Sequence, residues 1–197
     1  MSVISKLKQN VLRNPEDDTT TTFEELWKDQ RCVIVFFRRW GWPYCRLAAR
    51  EISAIQPLLK ENNVRLIGVG VEQFGVQEFI QGKYFDGEVY VDDGKKSYSS
   101  LDFKTMTFLQ LFPAVLSAAA RAAQASAKAL GLGGNMDGDK WQLGGCLVVE
   151  KGGGDKPLLY YIQNSAPDHV SNADVMKSLS IEGEAPAATP VQKSWNM

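Results

Sequence analysis

Cys45, which stands at the start of an amphipathic segment, carries the clearest potential for chemistry in this chain. It lies near the end of residues 38–46 (RRWGWPYCR), shortly after the apolar run of residues 33–37. A buried strand, a tight Gly/Pro corner and a helix with a thiol in its first turn form the layout of a dithiol redox site. In such a site the helix dipole stabilises the thiolate of the first of two cysteines separated by two residues. Trp42 occupies the position of that first cysteine, so the chain keeps the layout and lacks the attacking sulfur.

Two interpretations of Cys45 are open. The second thiol of a dithiol site lies one turn further in and is less accessible, so position alone makes Cys45 a poor nucleophile. Arg38, Arg39 and Arg46, together with the helix dipole, favour a thiolate. In the alternative, Cys45 is a small packed residue and the arginines are solvated or paired with Glu51.

The two other cysteines and the single histidine offer less material for catalysis. Cys146 begins a predicted strand beside the redox helix, and it could replace the missing partner if the two Cα atoms lie within about 7 Å. The favoured alternative is a buried cysteine that acts as a small hydrophobic residue. Cys32, at the far end of its strand, is expected to be structural. His169 lies in a polar loop, and without local ligand pairs the sequence predicts no metal site.

The segments around Cys45 predict two parallel strands joined by a helix. Residues 32–37 and 64–71 are apolar runs, and residues 43–60 between them carry apolar residues at helical spacing, with Pro43 at the favoured first position. Because parallel strands need a crossover connection, this order indicates a βαβ unit. Residues 3–13 could form an edge strand.

The remaining segments complete an α/β architecture. We predict a helix capped by Thr22, further helices at residues 77–82, 95–101 and 172–179, a strand at 88–91, and a hairpin of 145–150 with 158–163. A helical insertion is expected around residues 105–132. The prediction is a central mixed sheet of four or five strands flanked by helices, in one domain of residues 1–181. Residues 182–197 form an Ala/Pro-rich tail that we expect to be mobile.

Composition excludes several classes of function. A formal net charge of −1 gives no electrostatic footprint for nucleic acid or for anionic membranes. No run approaches the roughly 18 apolar residues of a membrane-spanning helix, and residues 1–10 do not resemble a secretory signal. Three scattered cysteines suit a reducing compartment, which predicts a cytoplasmic location.

Several separated blocks, in the same order, resemble the peroxiredoxin-like family that includes prostamide/prostaglandin F synthase and the selenoprotein U group. The resemblance covers roughly residues 23–181. The blocks are Arg38-Arg39 with Gly41 and Cys45, residues 64–70, residues 82–88 (GKYFDGE) followed by Val91-Asp92, residues 134–139 (GNMDGD), and Gly144-Gly145 before residues 147–149.

The resemblance implies a thioredoxin-like fold and an oxidoreductase activity. Some members reduce the prostaglandin endoperoxide to prostaglandin F with NADPH, and others are proposed antioxidants. For this chain it implies a lipid peroxide or endoperoxide substrate, and NADPH, a thiol reductant or a thioredoxin-type protein partner, with no tightly bound cofactor. The family carries cysteine or selenocysteine at the position of Trp42 and a second cysteine at Cys45. The site predicted here therefore comprises Cys45, Trp42, Pro43, Tyr44 and Arg39.

Two functions follow, depending on Trp42. The first is a peroxiredoxin-like oxidoreductase that uses Cys45. The second is a catalytically degenerate binding protein, or a subunit of an assembly, in which Trp42 fills the former site. A third possibility concerns the gene: a UGA codon for selenocysteine would be rendered here as tryptophan, and a genomic UGG codon would exclude it.

Overall fold

Two apolar strands, β3 (Arg31–Phe37) and β4 (Val64–Gly70), lie parallel at the centre of a mixed sheet. The structure is a computed structural model, and it describes residues 2–107, 117–134, 141–165 and 167–188. The remaining described strands are β1 (Val11–Arg13), β2 (Thr20–Thr22), β5 (Glu88–Val91), β6 (Gly145–Val149) and β7 (Leu159–Ile162). Over the described ranges the sheet has seven strands in the order β2-β1-β5-β4-β3-β6-β7. β5 is parallel to β4, whereas β1, β2, β6 and β7 pair antiparallel with their neighbours.

Helices cover both faces of this sheet. They are α1 (Val3–Leu7), α2 (Phe23–Trp27), α3 (Pro43–Ser53), α4 (Gln56–Glu61), α5 (Val76–Gln81), α6 (Lys96–Ser100), α7 (Ala118–Ala129) and α8 (Asn172–Ser178). Because side chains alternate along a strand, Val33, Val35 and Phe37 face one core and Cys32, Ile34 and Phe36 face the other. The first core is covered by α3, α4, α5, α7 and α8, and the second by α1, α2 and α6. None of the helices that the structure describes is long and apolar enough to cross a bilayer.

The predicted βαβ unit, the hairpin of residues 145–163 and the final helix are confirmed. The predicted cap of α2 is also confirmed, because the Thr22 side chain accepts a hydrogen bond from the Glu25 amide. The prediction of four or five strands was too low, because β1 and β2 extend one edge of the sheet. The predicted edge strand at residues 3–13 was wrong in its first half. Ser2 caps a helical turn there, and that turn buries Ile4 and Leu7.

The predicted helix over residues 43–60 is interrupted. α3 ends at Ser53, and α4 begins at Gln56 with Pro57 in its first turn. Proline has no amide hydrogen, and its ring collides with the carbonyl four residues earlier, here that of Ser53. A continuous helix is therefore excluded. In the predicted insertion at 105–132, α7 is helical and residues 108–116 lie outside the described residues.

Two parts of the tail can be distinguished. Ala185 packs against the core that α3 covers, and residues 189–197 lie outside the described residues. The mobility of the tail stays a prediction.

Trp40 holds the chain between β3 and α3 in place. Its ring lies across Gly70 at the end of β4, where a Cβ atom would stand 2.0 Å from the ring carbon Cζ2. The indole N–H donates to the carbonyl oxygen of Glu72 at 2.7 Å. Position 70 therefore requires glycine. The packing of Trp40 on Gly70 and its hydrogen bond to Glu72 fix the path of the chain that leads to Trp42.

Candidate active site

Cys45 lies in the first turn of α3, as the sequence predicted. Trp42 is the N-cap residue, Pro43 begins the helix, and the Arg46 amide donates to the Trp42 carbonyl at 3.0 Å. The first amides of a helix have no partner within the helix, and their dipoles favour negative charge near them. The Cys45 side chain is buried, with the residue 6% exposed. This placement puts the Cys45 thiol near the helix N-terminus and limits its access to solvent.

A small cavity lies beside Cys45, between α3 and the sheet. Its volume is about 30 Å³, which is room for roughly one or two water molecules. Tyr44 and Cys45 line it from α3, and Arg38 lines it from the segment after β3. Tyr161 on β7 and the pair Asp168 and His169 complete its polar wall. The cavity matches the size of a hydroperoxide group and brings several polar side chains to the thiol.

Trp42 packs against two buried cations. The guanidinium carbon of Arg38 lies 4.1 Å from the centre of its ring, and that of Arg39 lies 4.4 Å from it. Its ring also stacks obliquely on Tyr44, with centroids 5.4 Å apart. All of these side chains are almost fully buried. The electron-rich face of tryptophan therefore meets two cations at the residue that precedes α3.

The three arginines near Cys45 have different surroundings. Arg38 lines the cavity and donates through Nε to the Gln142 carbonyl at 3.0 Å, while Arg39 lies on Trp42. Arg46 donates to the Trp40 and Gly133 carbonyls, and it pairs with Glu78 at 2.6 Å.

These positions correct the alternative in which the arginines are solvated or paired with Glu51. All three are at most 2% exposed. Arg46 links α3 to α5 and to the segment after α7, so its role is structural. Of the three arginines, Arg38 lines the cavity beside Cys45.

Tyr44 and Pro43 fasten the start of α3 to the neighbouring chain. The Tyr44 hydroxyl donates to the Ala120 carbonyl at 3.2 Å, which links α3 to α7, and burial raises its pKa. Gly134 lies so close that a Cβ atom there would stand 2.4 Å from the Gly41 carbonyl oxygen and 2.7 Å from Pro43 Cδ. The two residues thus shape and support the site.

The other two thiols are held in the cores. Cys32 packs on the opposite face of the sheet from Cys45, and burial raises its pKa to about 12. Cys146 faces the same core as Cys45, opposite Val35 in the β3–β6 ladder, and burial raises its pKa to about 12 as well. At neutral pH both are protonated, which agrees with a packing role and leaves Cys45 as the thiol beside a cavity.

Sequence reasoning placed His169 in a polar loop and did not predict that it lines the cavity beside Cys45. Its Nε2 contacts a carboxylate oxygen of Glu51 on α3, and its Nδ1 lies 3.0 Å from the Pro167 carbonyl oxygen. Both partners accept hydrogen bonds, so an imidazolium ring, which carries a proton on each nitrogen, satisfies both contacts. His169 and Glu51 are 118 positions apart, and no local pattern in the sequence connects them.

The environment of His169 supports this charge. Burial alone would lower the pKa of His169. The hydrogen bond and negative charge of Glu51, with smaller contributions from the Pro167 carbonyl and from Asp168, outweigh burial and raise the pKa above its ordinary value of 6.5.

The ion pair is expected to make stability depend on pH. Because the pKa of His169 is raised on folding, the pair contributes its full stabilisation below about pH 6.5, provided that Glu51 is ionised, and loses it as pH rises through the folded pKa. The difference in unfolding free energy between wild type and Glu51→Ala should therefore be larger at pH 6 than at pH 9. Urea titrations at both values measure it. A difference that does not change with pH would contradict a cationic His169.

Comparison with known proteins places this chain in a family. The model of the AhpC/TSA antioxidant enzyme family matches residues 51–164, which is more than half of the chain and begins after Cys45. The prostamide/prostaglandin F synthase of Homo sapiens is 41% identical over 182 residues, covering 92% of this chain and 91% of that protein. The prostamide/prostaglandin F synthase of Sus scrofa is 42% identical over 175 residues, covering 89% and 86%.

Solved structures show the same fold. The peroxidoxin BcpB of Mycobacterium tuberculosis superposes with a TM-score of 0.57 at 14% identity, over 89% of this chain and 95% of that one. The reduced Prx3 of Vibrio vulnificus, in complex with H2O2, gives a TM-score of 0.58 at 12% identity, over 88% and 96%. The predicted thioredoxin-like fold and the resemblance to peroxiredoxin-like proteins are confirmed.

Proposed function

Because this chain belongs to the AhpC/TSA family of antioxidant enzymes and is a thioredoxin-fold oxidoreductase, we propose that its reaction is the reduction of a hydroperoxide by the Cys45 thiol. The observation that carries the proposal is the position of Cys45 at the start of α3, beside a cavity of hydroperoxide size. The other two thiols are protonated and packed in the cores.

The polar groups around the cavity suit this chemistry. The Cys45 thiolate attacks one peroxide oxygen and forms an S–O bond while the O–O bond breaks. The second oxygen leaves as an alkoxide and takes up the proton that the thiol released, so Cys45–SH and ROOH give Cys45–SOH and ROH. Arg38 in the cavity wall and the amides at the start of α3 favour the negative charge that moves from sulfur to oxygen.

Regeneration of Cys45 needs two electrons from a thiol reductant. Two external thiols convert the sulfenic acid to the free thiol, with the release of one water and formation of one disulfide between the reductant sulfurs. Trp42 supplies no sulfur for an internal disulfide, so the reductant must reach Cys45 from outside. A small thiol fits this requirement, whereas a thioredoxin-type protein reaches Cys45 only if the cavity opens.

NADPH, which the family resemblance implies as electron donor, does not fit directly beside Cys45. A cavity of about 30 Å³ is too small for a nicotinamide ring. The residues of this cavity do not form a phosphate-binding loop, and Arg38 is in contact with Trp42. We therefore assign no hydride-transfer step to this chain.

The activity for which the relatives are named suggests a class of substrate for this chain. Prostamide/prostaglandin F synthases act on a lipid endoperoxide according to the family resemblance, and breaking an endoperoxide is also reduction of an O–O bond. An endoperoxide fused to a lipid ring is larger than the cavity as it stands. The geometry supports a small hydroperoxide first, and a lipid peroxide after the cavity widens.

The proposal is tested by trapping the oxidised thiol. The reduced protein is treated with one equivalent of hydrogen peroxide, the excess peroxide is removed with catalase, and the protein is then unfolded in urea that contains dimedone, so that the size of the cavity does not limit labelling. The labelled peptides are identified by mass spectrometry. We expect the label on Cys45 and almost none on Cys32 or Cys146, whose raised pKa values keep them protonated. Absence of label on Cys45 would overturn the proposal. Label on all three cysteines at one rate would indicate unfolding instead of site chemistry.

A further inference from the structure

The cavity beside Cys45 is closed on one side by an ion pair between two distant parts of the chain. Tyr44, Cys45 and Ala48 line it from α3, and Asp168, His169 and Val170 line it from the segment 167–170. Glu51 lies one helical turn after Ala48, outside the cavity lining, and its carboxylate binds His169 across the gap.

We propose that the His169–Glu51 ion pair, which we call the latch, restricts access to Cys45 to small reagents and peroxides and that its release admits larger ones. The inference rests on the proposed function for its biological meaning, and on geometry for its mechanism. It makes His169 and Glu51 residues that determine the size of the substrate.

The hydrogen bonds of the 167–170 segment show why the latch can act separately from the rest of the wall. Asp168 is anchored to β7 and to the residues that follow it. Its carboxylate accepts hydrogen bonds from the Tyr161 hydroxyl and, at 2.9 Å, from the backbone amide of Asn164. Its backbone carbonyl accepts a hydrogen bond from the Gln163 side chain at 2.6 Å. The Glu51 carbonyl accepts from the Asn172 side chain at 2.6 Å. Of these links to α3, only the His169–Glu51 contact can change its charge near neutral pH.

The charged and titratable groups around His169 give the direction of the pH effect. Glu51 on α3 and Asp168 beside His169 are acidic, and Arg38 after β3 is basic. The Tyr161 hydroxyl on β7 donates a hydrogen bond to Asp168. Burial raises the pKa of Tyr161 and the bond to Asp168 raises it further, so the hydroxyl stays neutral. As pH rises through the raised pKa of His169, the imidazolium loses the proton that binds Glu51, and the latch weakens.

Size selectivity at Cys45 can be measured without any peroxide. The rates at which iodoacetamide and the bulky, uncharged N-(1-pyrenyl)maleimide label Cys45 are followed by mass spectrometry of its peptide. The ratio of the rate of the bulky reagent to that of the small reagent is compared between variants. Both reagents need the thiolate, so the ratio cancels differences in its ionisation. Glu51→Ala removes the ion pair and replaces no residue of the cavity lining. We expect it to raise the ratio about fivefold, because the free energy of a partly exposed ion pair corresponds to a factor of about this size.

His169→Gln, which keeps most of the side-chain bulk, should raise the ratio by a similar factor. The two variants change net charge in opposite directions, so an effect on electrostatics alone would give opposite changes in the rates and none in the ratio. Lys6→Gln removes a cation from the exposed Lys6–Asp102 pair and serves as the matched control with an unchanged ratio. In wild type the ratio should increase from pH 6 to pH 9, whereas in Glu51→Ala it should stay level.

Unchanged ratios in both variants would overturn the latch. A ratio that rises in His169→Gln alone would also overturn it, because space at the cavity wall would then explain the access. Failure of Cys45 to form a sulfenic acid leaves these alkylation results intact, so the test separates the latch from the proposed function.

Discussion

Replacing Cys45 by serine is expected to lower peroxide turnover at least about a hundredfold. The hydroxyl of serine is a far weaker nucleophile than a thiolate, and no described group near the cavity could take over its role. Cys45 is the thiol that lines the cavity, whereas Cys32 and Cys146 are buried with pKa values of about 12. The thiolate fraction of these two at neutral pH is negligible.

Turnover is measured as the loss of hydrogen peroxide and of cumene hydroperoxide with dithiothreitol as electron donor. Cys32→Ala and Cys146→Ala are the matched controls, since each removes a sulfur from the same chain and leaves Cys45 in place. They should keep turnover within about threefold of wild type, the range expected for modest repacking of a core. If Cys146→Ala also abolished turnover, Cys146 would act with Cys45 and the assignment of a single working thiol would be wrong.

Replacing Trp42 by cysteine is expected to raise dithiol-dependent turnover at least about tenfold, because it restores an activated nucleophile. The new thiol would stand at the N-cap of α3, with the guanidinium groups of Arg38 and Arg39 beside it. Both groups lie within 4.4 Å of the Trp42 ring centre at present. Cys45 would then be the second cysteine of a dithiol pair and would close the disulfide.

The same substitution is expected to lower the free energy of unfolding by about 3 kcal/mol. It removes a buried indole, 5% exposed, that packs on Arg38, Arg39 and Tyr44. Trp42→Phe is the control for packing, since it retains a ring for both cations and adds no sulfur. Chemical denaturation and the turnover assay are applied to the same three proteins, so a gain in turnover can be weighed against a loss of stability.

Three results would redirect the interpretation of Trp42. Equal turnover in wild type and Trp42→Cys would mean that Cys45 works without a partner sulfur at this position, and the double variant Trp42→Cys, Cys45→Ser would show which thiol attacks. A fall in turnover would mean that Trp42 positions Arg38 for catalysis. Inactivity of both proteins would favour the binding protein in which the former site is filled.

Much of the fold was predictable from local patterns. The apolar runs at β3 and β4 with an amphipathic helix between them predicted the central βαβ unit, because period and spacing are properties of adjacent residues. Pro43 and the following residues placed Cys45 in the first turn of a helix for the same reason. Errors arose where a short signal was ambiguous, as at α1, or where Pro57 ended a helix inside an unbroken apolar pattern.

The sequence by itself determined which groups are available for chemistry: a thiol at a helix start, three arginines near it, and a tryptophan three residues before the thiol. Only the tertiary structure decided how those groups are used. It placed Arg38 and Arg39 on the ring of Trp42 and used Arg46 to link helices. It also brought His169 to Glu51 across 118 positions, forming one wall of the Cys45 cavity. Contacts between residues so far apart depend on how the sheet and helices pack, and a pattern along the chain carries no record of that packing.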